Sequence, residues 1–307
     1  MAASTIVTAC DGKFLWGAFL LLVSLKRHRV SSKVKVWASG LDDSDHALLR
    51  QFEGVEVVAY DTGFASVPLE KPAAILSTNT DYVTWMDSDC MVTGDISACL
   101  SPSDQRFQIR FRSPSENRLR FRSEQYGPHD AFGSIPEAVL EVWKQEVNER
   151  EKPMITTTCV SNCFTLHQRH FEFMWRWRDQ IQKIILKYGG ESDSPYTYGG
   201  RISDELTLNS LLAFAYGVPP MSPYPLDKNP HAYLIHFGVN PKPWNRWQPK
   251  HLKHHELVLS SIDWARQRGY RTPDVPPAFR RSRLITTYAA AYGYEMVRTV
   301  VNQVRGS

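Results

Sequence analysis

The stretch Tyr82-Val83-Thr84-Trp85-Met86-Asp87-Ser88-Asp89-Cys90-Met91-Val92 indicates how the chain folds. Its first five residues are aromatic, apolar or β-branched, which is typical of the interior of a buried strand. Asp87 and Asp89 follow, and in extended chain two side chains so spaced point to the same side. Two carboxylates beside an apolar strand are costly unless a positive group lies between them. A divalent cation is the simplest such group, and oxygen ligands suit Mg²⁺ or Mn²⁺.

The Asp-x-Asp pattern by itself is also typical of a solvated turn. The chain before it favours the metal interpretation, because strands and helices alternate over the first hundred residues. The predicted elements are strands at 4–9, 33–38, 55–60 and 82–86 and helices at 14–28, 42–52 and 71–78. This order predicts an α/β fold, with a mixed, mostly parallel sheet covered by helices on both faces. Ligands bind at the carboxyl ends of such strands, where we expect Asp11, Asp87 and Asp89.

The second half of the chain is less regular. It predicts helices at 136–149, 170–188 and 204–216, β structure at 156–166, a strand at 232–237, and a Gly-, Ser- and Tyr-rich loop at 192–201. Ser203 is a plausible N-cap for the helix that begins at Asp204.

Arginine is concentrated between Arg106 and Arg122. Alternation on both sides of the Ser113–Asn117 segment predicts a β-hairpin with one apolar and one arginine-bearing face. The charged face is either solvated or binds phosphate, which arginine holds in a bidentate manner. A phosphorylated acceptor and nucleic acid are both compatible with the second interpretation.

The composition limits the class of protein. The chain has 307 residues, of which 42% are hydrophobic and 22% charged, as in an ordinary globular protein of one large or two small domains. A net charge of +4 does not by itself indicate a nucleic-acid binder. The five cysteines form no Cys-x-x-Cys pair, which predicts reduced thiols and a cytoplasmic location. The longest apolar run, at 14–23, is shorter than the roughly 20 residues that span a bilayer.

The character of the chain changes near residue 250, where His251, Lys253, His254 and His255 begin a basic, helical segment. We therefore predict two units, an α/β domain at 1–250 and a basic helical extension at 251–307. The final helix either docks on the domain or rests peripherally on an anionic membrane surface, which would be the inner face of a membrane.

His236 gives a second candidate position for a ligand. It ends a predicted strand and lies six residues before Lys242, which sits in a Pro-Lys-Pro-Trp corner. A lone histidine at such a place is more often structural. Together with Asp87 and Asp89, however, it would supply two carboxylates and one imidazole, leaving positions for a diphosphate. Nitrogen favours Mn²⁺ over Mg²⁺, and Lys242 would neutralise the diphosphate as a point charge.

These motifs resemble glycosyltransferase family 8, the glycogenin and bacterial galactosyltransferase type. The resemblance covers separated blocks from about Ile6 to Trp244, including Asp87-Ser88-Asp89 and the stretch from His236 to Trp244. It implies a GT-A fold, a nucleotide-sugar donor that is usually UDP-linked, bound Mn²⁺, and retention of the anomeric configuration.

The resemblance also implies roles for single residues. Phe14 would stack on the uracil, with Asp11 and Ala9 near the base, while Lys71 would lie near the donor phosphates or sugar. The metal ligands would be Asp87, Asp89 and His236. The residues nearest the chemistry would be Asp204, Lys71 and Asn162. The full set implied to contact the nucleotide-sugar is Thr8, Ala9, Asp11, Phe14, Lys71, Asp87, Ser88, Ser161, Asn162, Asp204, Glu205, Gly238 and Lys242.

Several positions depart from the family pattern. Gly238 comes one place early and Val239 occupies the expected glycine position, Phe14 replaces the usual tyrosine, and Ser161 and Glu205 are not the commonest choices. We therefore expect the donor-sugar pocket to differ from that of a glucosyl- or galactosyltransferase.

The sequence does not name the acceptor, and we expect a saccharide, a lipid-linked glycan, a protein or a modified nucleic acid. Two alternatives to a hexosyltransferase with an ordinary acceptor stay open. One is a GT-A-like protein that binds nucleotide-sugar or glycan without turnover. The other is a nucleic-acid-associated glycosyltransferase acting on modified bases.

Overall fold

The computed structural model describes residues 3–61, 66–189, 191, 193–224 and 233–306, with side chains up to Val297 in the last helix. The strands are β1 Ser4–Asp11, β2 Lys33–Ser39, β3 Val55–Ala59, β4 Tyr82–Met86, β5 Cys90–Val92, β6 Phe107–Phe111, β7 Cys159–His167, β8 Thr197–Tyr198, β9 Arg201–Ile202, β10 Met221–Pro223 and β11 Leu234–His236.

The helices alternate with the strands in the first part of the chain. They are α1 Leu15–Arg27, α2 Asp43–Arg50, α3 Lys71–Leu76, α4 Ser97–Leu100, α5 Pro114–Arg120, α6 Ser123–Tyr126, α7 Glu137–Val147, α8 Phe171–Tyr188, α9 Asp204–Phe214, α10 His255–Gln267 and α11 Leu284–Gly306. The predicted elements at 4–9, 33–38, 55–60, 82–86, 170–188 and 204–216 are confirmed within a few residues.

A seven-stranded sheet in the order β10-β6-β7-β4-β1-β2-β3 forms the centre of the molecule. Strand β7 runs antiparallel to β4 and β6, and the other pairings are parallel. The predicted α/β fold with a mixed, mostly parallel sheet is therefore confirmed. All five residues of β4 are buried, because helices cover this sheet on both faces.

Two hydrophobic cores lie on the opposite faces of the sheet. Along β1, Ile6 belongs to the core that contains α1 and α10, and Val7 belongs to the core that contains α8 and α9. The register pairs Val7 with Trp85 of β4, and Met86 with Cys163 of β7. The ends of β1 and β4 therefore meet residues 161 and 162 of β7 at one edge.

The predicted arginine hairpin is half wrong. Its first arm is strand β6, but its second arm is helix α5. Ser113 accepts from the N–H of Glu116, whose side chain accepts in return from the N–H of Ser113, and Pro114 occupies the first turn. This capping box and the proline stabilise a helix start. Leu119, predicted to pack, is 80% exposed.

The segment after residue 250 shares the first core. Val258, Leu259 and Ile262 of α10 are buried in the cluster that contains α1, and Arg27 Nη1 donates to Ser261 Oγ at 2.9 Å. The division at residue 250 stays a prediction. No helix in the described part of the chain is long and apolar enough to cross a membrane. The predicted loop at 192–201 contains β8 and β9, while Ser192 and Ala232 lie outside the described residues.

Candidate active site

The turn after β4 fixes the first carboxylate. The backbone N–H of Asp87 donates to the carbonyl of Asn162 at 2.8 Å, and the carbonyl of Asp87 accepts from the N–H of Cys90 at 2.9 Å. The indole of Trp85 donates to Asp87 Oδ1 at 2.8 Å. Both backbone and side chain of Asp87 are therefore held by the strands that it follows.

The two-stranded sheet of β5 and β11 brings the second carboxylate to the imidazole. His236 pairs with Cys90 in this antiparallel sheet, and the N–H of Phe237 donates to the carbonyl of Asp89 at 2.9 Å. His236 Nε2 lies 3.2 Å from Asp89 Oδ1 and 3.8 Å from Asp87 Oδ2. The structure thus places the three predicted metal ligands together, although they come from separate parts of the sequence.

Lys242 approaches the same group from the chain after β11. Its Nζ lies 2.5 Å from Asp89 Oδ2 and donates to the carbonyl of Phe237 at 2.9 Å. Burial opposes ionisation of Asp89, but His236 and Lys242 outweigh it and hold its pKa below the usual range. Burial likewise opposes the imidazolium of His236, but Asp89 raises its pKa.

The donor set fits a divalent cation. Among the described residues, ligand atoms of Asp89, Cys90 and His236 lie within 4.8 Å of one another. The neighbouring Cys90, which the sequence did not nominate, is a poor ligand because burial, followed by the charge of Asp89, raises its thiol pKa well above the usual value. Asp87 is not in this group, but its Oδ2 lies 3.8 Å from His236 Nε2, and two carboxylates with one imidazole are a set of ligands that suits Mn²⁺.

Lys71 connects Asp87 to Asp204 and to Ser161. Its Nζ lies 2.9 Å from Asp87 Oδ1 and 2.8 Å from Asp204 Oδ2, and it donates to the carbonyl and the hydroxyl of Ser161, each at 3.1 Å. Burial would lower the pKa of Lys71, but Asp204 and Asp87 raise it above the usual value. The pKa of Asp87 is raised by burial, which Lys71 partly opposes.

Helix α9 begins beside this lysine. Ser203 caps the helix by accepting from the N–H of Leu206, as predicted. The hydroxyl of Ser161 donates to Asp204 Oδ2 at 2.8 Å, and its N–H donates to Glu205 Oε2 at 3.2 Å. Asp204 and Glu205 are therefore both hydrogen-bonded to Ser161 of β7, and Lys71 links Asp204 to Asp87.

Glu205 has two cationic partners that sequence reasoning missed. Its Oε1 lies 2.8 Å from Arg112 Nη2 and 3.2 Å from Arg120 Nη2. Burial opposes the charge of Glu205, but these arginines lower its pKa. The sequence pattern predicts these arginines on one face of a hairpin. The Ser-Pro-Ser-Glu stretch starting at Ser113 is the signal that would have indicated the helix bearing Arg120.

The rings of Phe14 and Trp244 form an aromatic wall next to Lys242. Its Nζ lies 5.3 Å from the centre of the Phe14 ring, and this ring meets Trp244 edge-on with centroids 6.0 Å apart. Gly17 allows α1 to approach, because a Cβ there would lie 2.6 Å from the carbonyl oxygen of Ser88 and 2.7 Å from Trp244 Cη2. A Cβ at Gly238 would lie 2.5 Å from Cε1 of His236, so that glycine sits against the imidazole.

The remaining nominated residues are placed less directly. Asp11 Oδ1 accepts from the N–H groups of Lys13 and Phe14 at 3.0 and 3.1 Å, so it caps the helical turn that presents Phe14. Thr8 and Ala9 are buried in β1, and Asn162 is half-buried in β7. The predicted roles of these three residues stay predictions.

The chain was compared with known proteins. No family model matches it, and no curated protein matches it. Solved structures do match. They include a bifunctional glycosyltransferase, WbbM, in its apo form (TM-score 0.56, 14% identity, covering 85% of this chain and 50% of that one). The glycosyltransferase GlyE of Streptococcus pneumoniae TIGR4 matches with a TM-score of 0.51 and 14% identity over 89% of this chain and 65% of that one. The galactosyltransferase LgtC, in complex with donor and acceptor sugar analogues, matches with a TM-score of 0.52 and 13% identity over 88% of this chain and 98% of that one.

The chain has the GT-A fold of these glycosyltransferases. It spans 50% of the length of WbbM and 65% of that of GlyE. A fold of this kind is shared by proteins of different function, so the function is inferred from the residues of the site.

Proposed function

We propose that this chain is a metal-dependent, retaining glycosyltransferase of the family 8 type that transfers a hexose from a UDP-sugar. One observation carries the proposal. Asp87, Asp89, His236 and Lys242 converge at the carboxyl edge of the sheet, and Lys71 links them to Asp204. Open α/β sheets bind nucleotides at this edge.

Asp87, Asp89 and His236 would hold Mn²⁺, or Mg²⁺ in its place. When bound, the cation supplies positive charge next to the diphosphate that leaves the sugar. Lys242 reaches Asp89 from the other side, so its ammonium is placed to contact the same phosphate oxygens. It acts as a point charge where negative charge develops.

The aromatic wall suits the nucleoside. Phe14 is half-buried, and its ring lies at the edge where Lys242 would meet the diphosphate. A uracil ring stacked on Phe14 would therefore join a phosphate group held by Lys242. Asp11 positions Phe14 by capping its turn, and its second carboxylate oxygen can accept from the base.

Asp204 is suited to holding the sugar. Its Oδ2 is engaged by Lys71 and by Ser161, which fixes the orientation of the carboxylate. It would accept from a sugar hydroxyl while the ring passes through an oxocarbenium-like state. Since this carboxylate is held by two donors, we favour front-face attack, with the leaving phosphate accepting the proton of the acceptor hydroxyl. The amide of Asn162, one residue beyond Ser161, would contact the sugar from β7.

Two features of the chain bear on the location of the protein. All five cysteines are buried as thiols that form no disulfide, which suits a cytoplasmic location. We propose in addition that α11 makes peripheral contact with an anionic membrane, because apolar side chains such as Ile285 and Met296 are exposed on it.

The test is release of nucleotide from a panel of UDP-, GDP- and dTDP-sugars with and without Mn²⁺. We expect slow release from one UDP-sugar, lost in Asp89→Ala. Full activity of this variant would count decisively against the proposal. Absence of both release and calorimetric UDP–Mn²⁺ binding would also overturn it.

A second candidate is a binding protein without turnover. The observation that favours it is the ion pair between Lys242 and Asp89, which competes with a metal for the same carboxylate. UDP binding in the absence of any transfer to a broad acceptor panel would support it, and measurable turnover would exclude it.

A further inference from the structure

The cluster around Glu205 carries more positive than negative charge. Arg112 and Arg120 both contact Oε1 of this one carboxylate. Asp204, the nearest other acid along the chain, is engaged by Lys71 and Ser161. Two guanidinium groups sharing one carboxylate leave a net charge of one positive unit in a largely buried place, where it is costly without a further anion.

The guanidinium donors are also incompletely used. Arg112 Nη1 and Arg120 Nε are buried without a hydrogen-bond partner among the residues that the structure describes. Arg112 and Arg120 are largely buried, with exposed side-chain fractions of 13% and 9%. Buried donors normally have partners, and leaving them unpaired is unfavourable. The net positive charge and these unpaired N–H groups together show that the two guanidinium groups have fewer acceptors around them than they can use.

An exposed aromatic ring lies over the same arginine. The guanidinium of Arg120 is 3.9 Å from the centre of the Tyr198 ring, and its Nη2 donates to Ser203 Oγ at 3.1 Å. Tyr198 is 63% exposed, so Arg120 supports one face of the ring while much of the side chain remains accessible. Exposed aromatic rings have apolar faces on which a sugar ring can pack.

We propose that Arg112, Arg120 and Tyr198 form a subsite for an acidic sugar, a hexose that carries a carboxylate or phosphate, on the acceptor side of the site. The inference rests on the proposed function, since the subsite adjoins Asp204 through Ser203. Tyr198 packs against the sugar ring, and the guanidinium groups bind its anionic substituent. The surplus charge selects against neutral sugars.

The probes are three monosaccharides that differ at C6, namely glucose, glucuronic acid and glucose 6-phosphate. Each is titrated into the full chain saturated with UDP and Mn²⁺, and binding is followed by saturation-transfer NMR. UDP fills the nucleotide site, so the probe reports on the acceptor side. We expect one or both acidic sugars to bind about tenfold more tightly than glucose. The two acidic probes distinguish a carboxylate from a phosphate substituent.

Variants locate the binding group. Arg120→Gln is expected to abolish the preference, and Tyr198→Ala to weaken binding of all three sugars, whereas Tyr198→Phe keeps the ring and behaves as wild type. Arg122→Gln, on an exposed arginine nearby, is the matched control. Tyr198→Ala alters an exposed side chain and keeps the test valid if Arg120→Gln fails to fold.

Two outcomes overturn the inference while the proposed function survives. In the first, the chain binds UDP–Mn²⁺ but shows no preference for acidic sugars. In the second, the preference persists in Arg120→Gln, so another cation, such as Lys242, holds the anion. Failure of UDP–Mn²⁺ binding itself is a different result, which counts against the proposed function.

Discussion

Lys71 and Asp204 form a buried ion pair, with Nζ 2.8 Å from Oδ2, although one residue begins helix α3 and the other begins helix α9. The same ammonium lies 2.9 Å from Asp87 Oδ1. One lysine thus neutralises a carboxylate that follows strand β4 and another that begins helix α9, and it links the predicted metal ligand Asp87 to the carboxylate proposed to hold the sugar.

Replacing this lysine tests its double role. Lys71→Met leaves two carboxylates without their cation, and breaking a buried pair in this way costs about 3–5 kcal/mol of folding stability. We expect that loss in urea denaturation, together with loss of nucleotide release. Lys152→Met, on an exposed lysine, is the control and should change neither. A stable, active Lys71→Met would show that the pair is not needed.

The close approach at Gly17 gives a second prediction. In Gly17→Ala the new Cβ would lie 2.6 Å from the carbonyl oxygen of Ser88, which is backbone and cannot move aside easily. We expect a loss of about 1–3 kcal/mol in stability, as for other overpacked sites, and weaker UDP–Mn²⁺ binding by calorimetry.

Gly12→Ala is the matched control for this substitution, because a Cβ at Gly12 has nothing within 4 Å. It should keep wild-type stability and binding. Equal behaviour of the two variants would mean that α1 can shift without disturbing the turn that carries Asp89.

The extent to which the sequence predicted the fold depends on how local each signal was. Strand β4 is predictable, because its five aromatic, apolar or β-branched residues are followed by two acids. The structure buries all five. The first three strands are predictable from their β-branched or alternating residues, as at 33–38. Helix α5 was mispredicted because alternation in Arg118–Arg122 outweighed the capping box at Ser113, which is the stronger physical signal.

The site divides in the same way. The motif resemblance brought Asp87, Asp89, His236 and Lys242 into one hypothesis, and the structure places their side chains together. The pairing of Glu205 with Arg112 and Arg120 depends on how α5 and β6 pack against α9. No spacing in the chain records that packing, so it could not have been predicted from one sequence.

A third prediction concerns the identity of the metal ligands. We expect Mn²⁺ affinity, measured by calorimetry or by electron paramagnetic resonance of free Mn²⁺, to fall by at least about tenfold in Asp89→Ala and His236→Ala. Cys90→Ser should leave it unchanged, since burial raises the pKa of this thiol and keeps it protonated. Loss of affinity in Cys90→Ser would instead assign the sulfur as a ligand and remove the argument for Asp87.

His251 provides a prediction about the pH dependence of stability. It is buried beside Phe237, and burial lowers its pKa to about 4 from an ordinary value of 6.5. The unfolded chain therefore binds a proton below 6.5 that the folded chain does not take up until about 4. Stability falls as the pH drops through this window, by on the order of 1–2 kcal/mol.

Urea denaturation of wild type and His251→Phe at pH 7 and at pH 5 measures the contribution of His251 to the pH dependence of stability. The variant lacks the titrating group, so its stability should change less between the two pH values than that of wild type. The same pH dependence in both proteins would assign the effect to other groups.

The last prediction tests the division at residue 250. Helix α10 places Val258, Leu259 and Ile262 in the core that contains α1, each almost fully buried. Burial of such a side chain contributes about 1.5–3 kcal/mol, so the three together approach the ~5–15 kcal/mol that stabilises a whole domain. A chain ending at residue 250 should therefore not give a cooperative urea transition.

A chain ending at Arg283 removes only α11, of which Ala291 is the described side chain placed in that core, and should unfold cooperatively with a modest loss of stability. Cooperative unfolding of the shorter chain at the wild-type midpoint would instead establish residues 1–250 as an independent domain, with α10 merely resting on it.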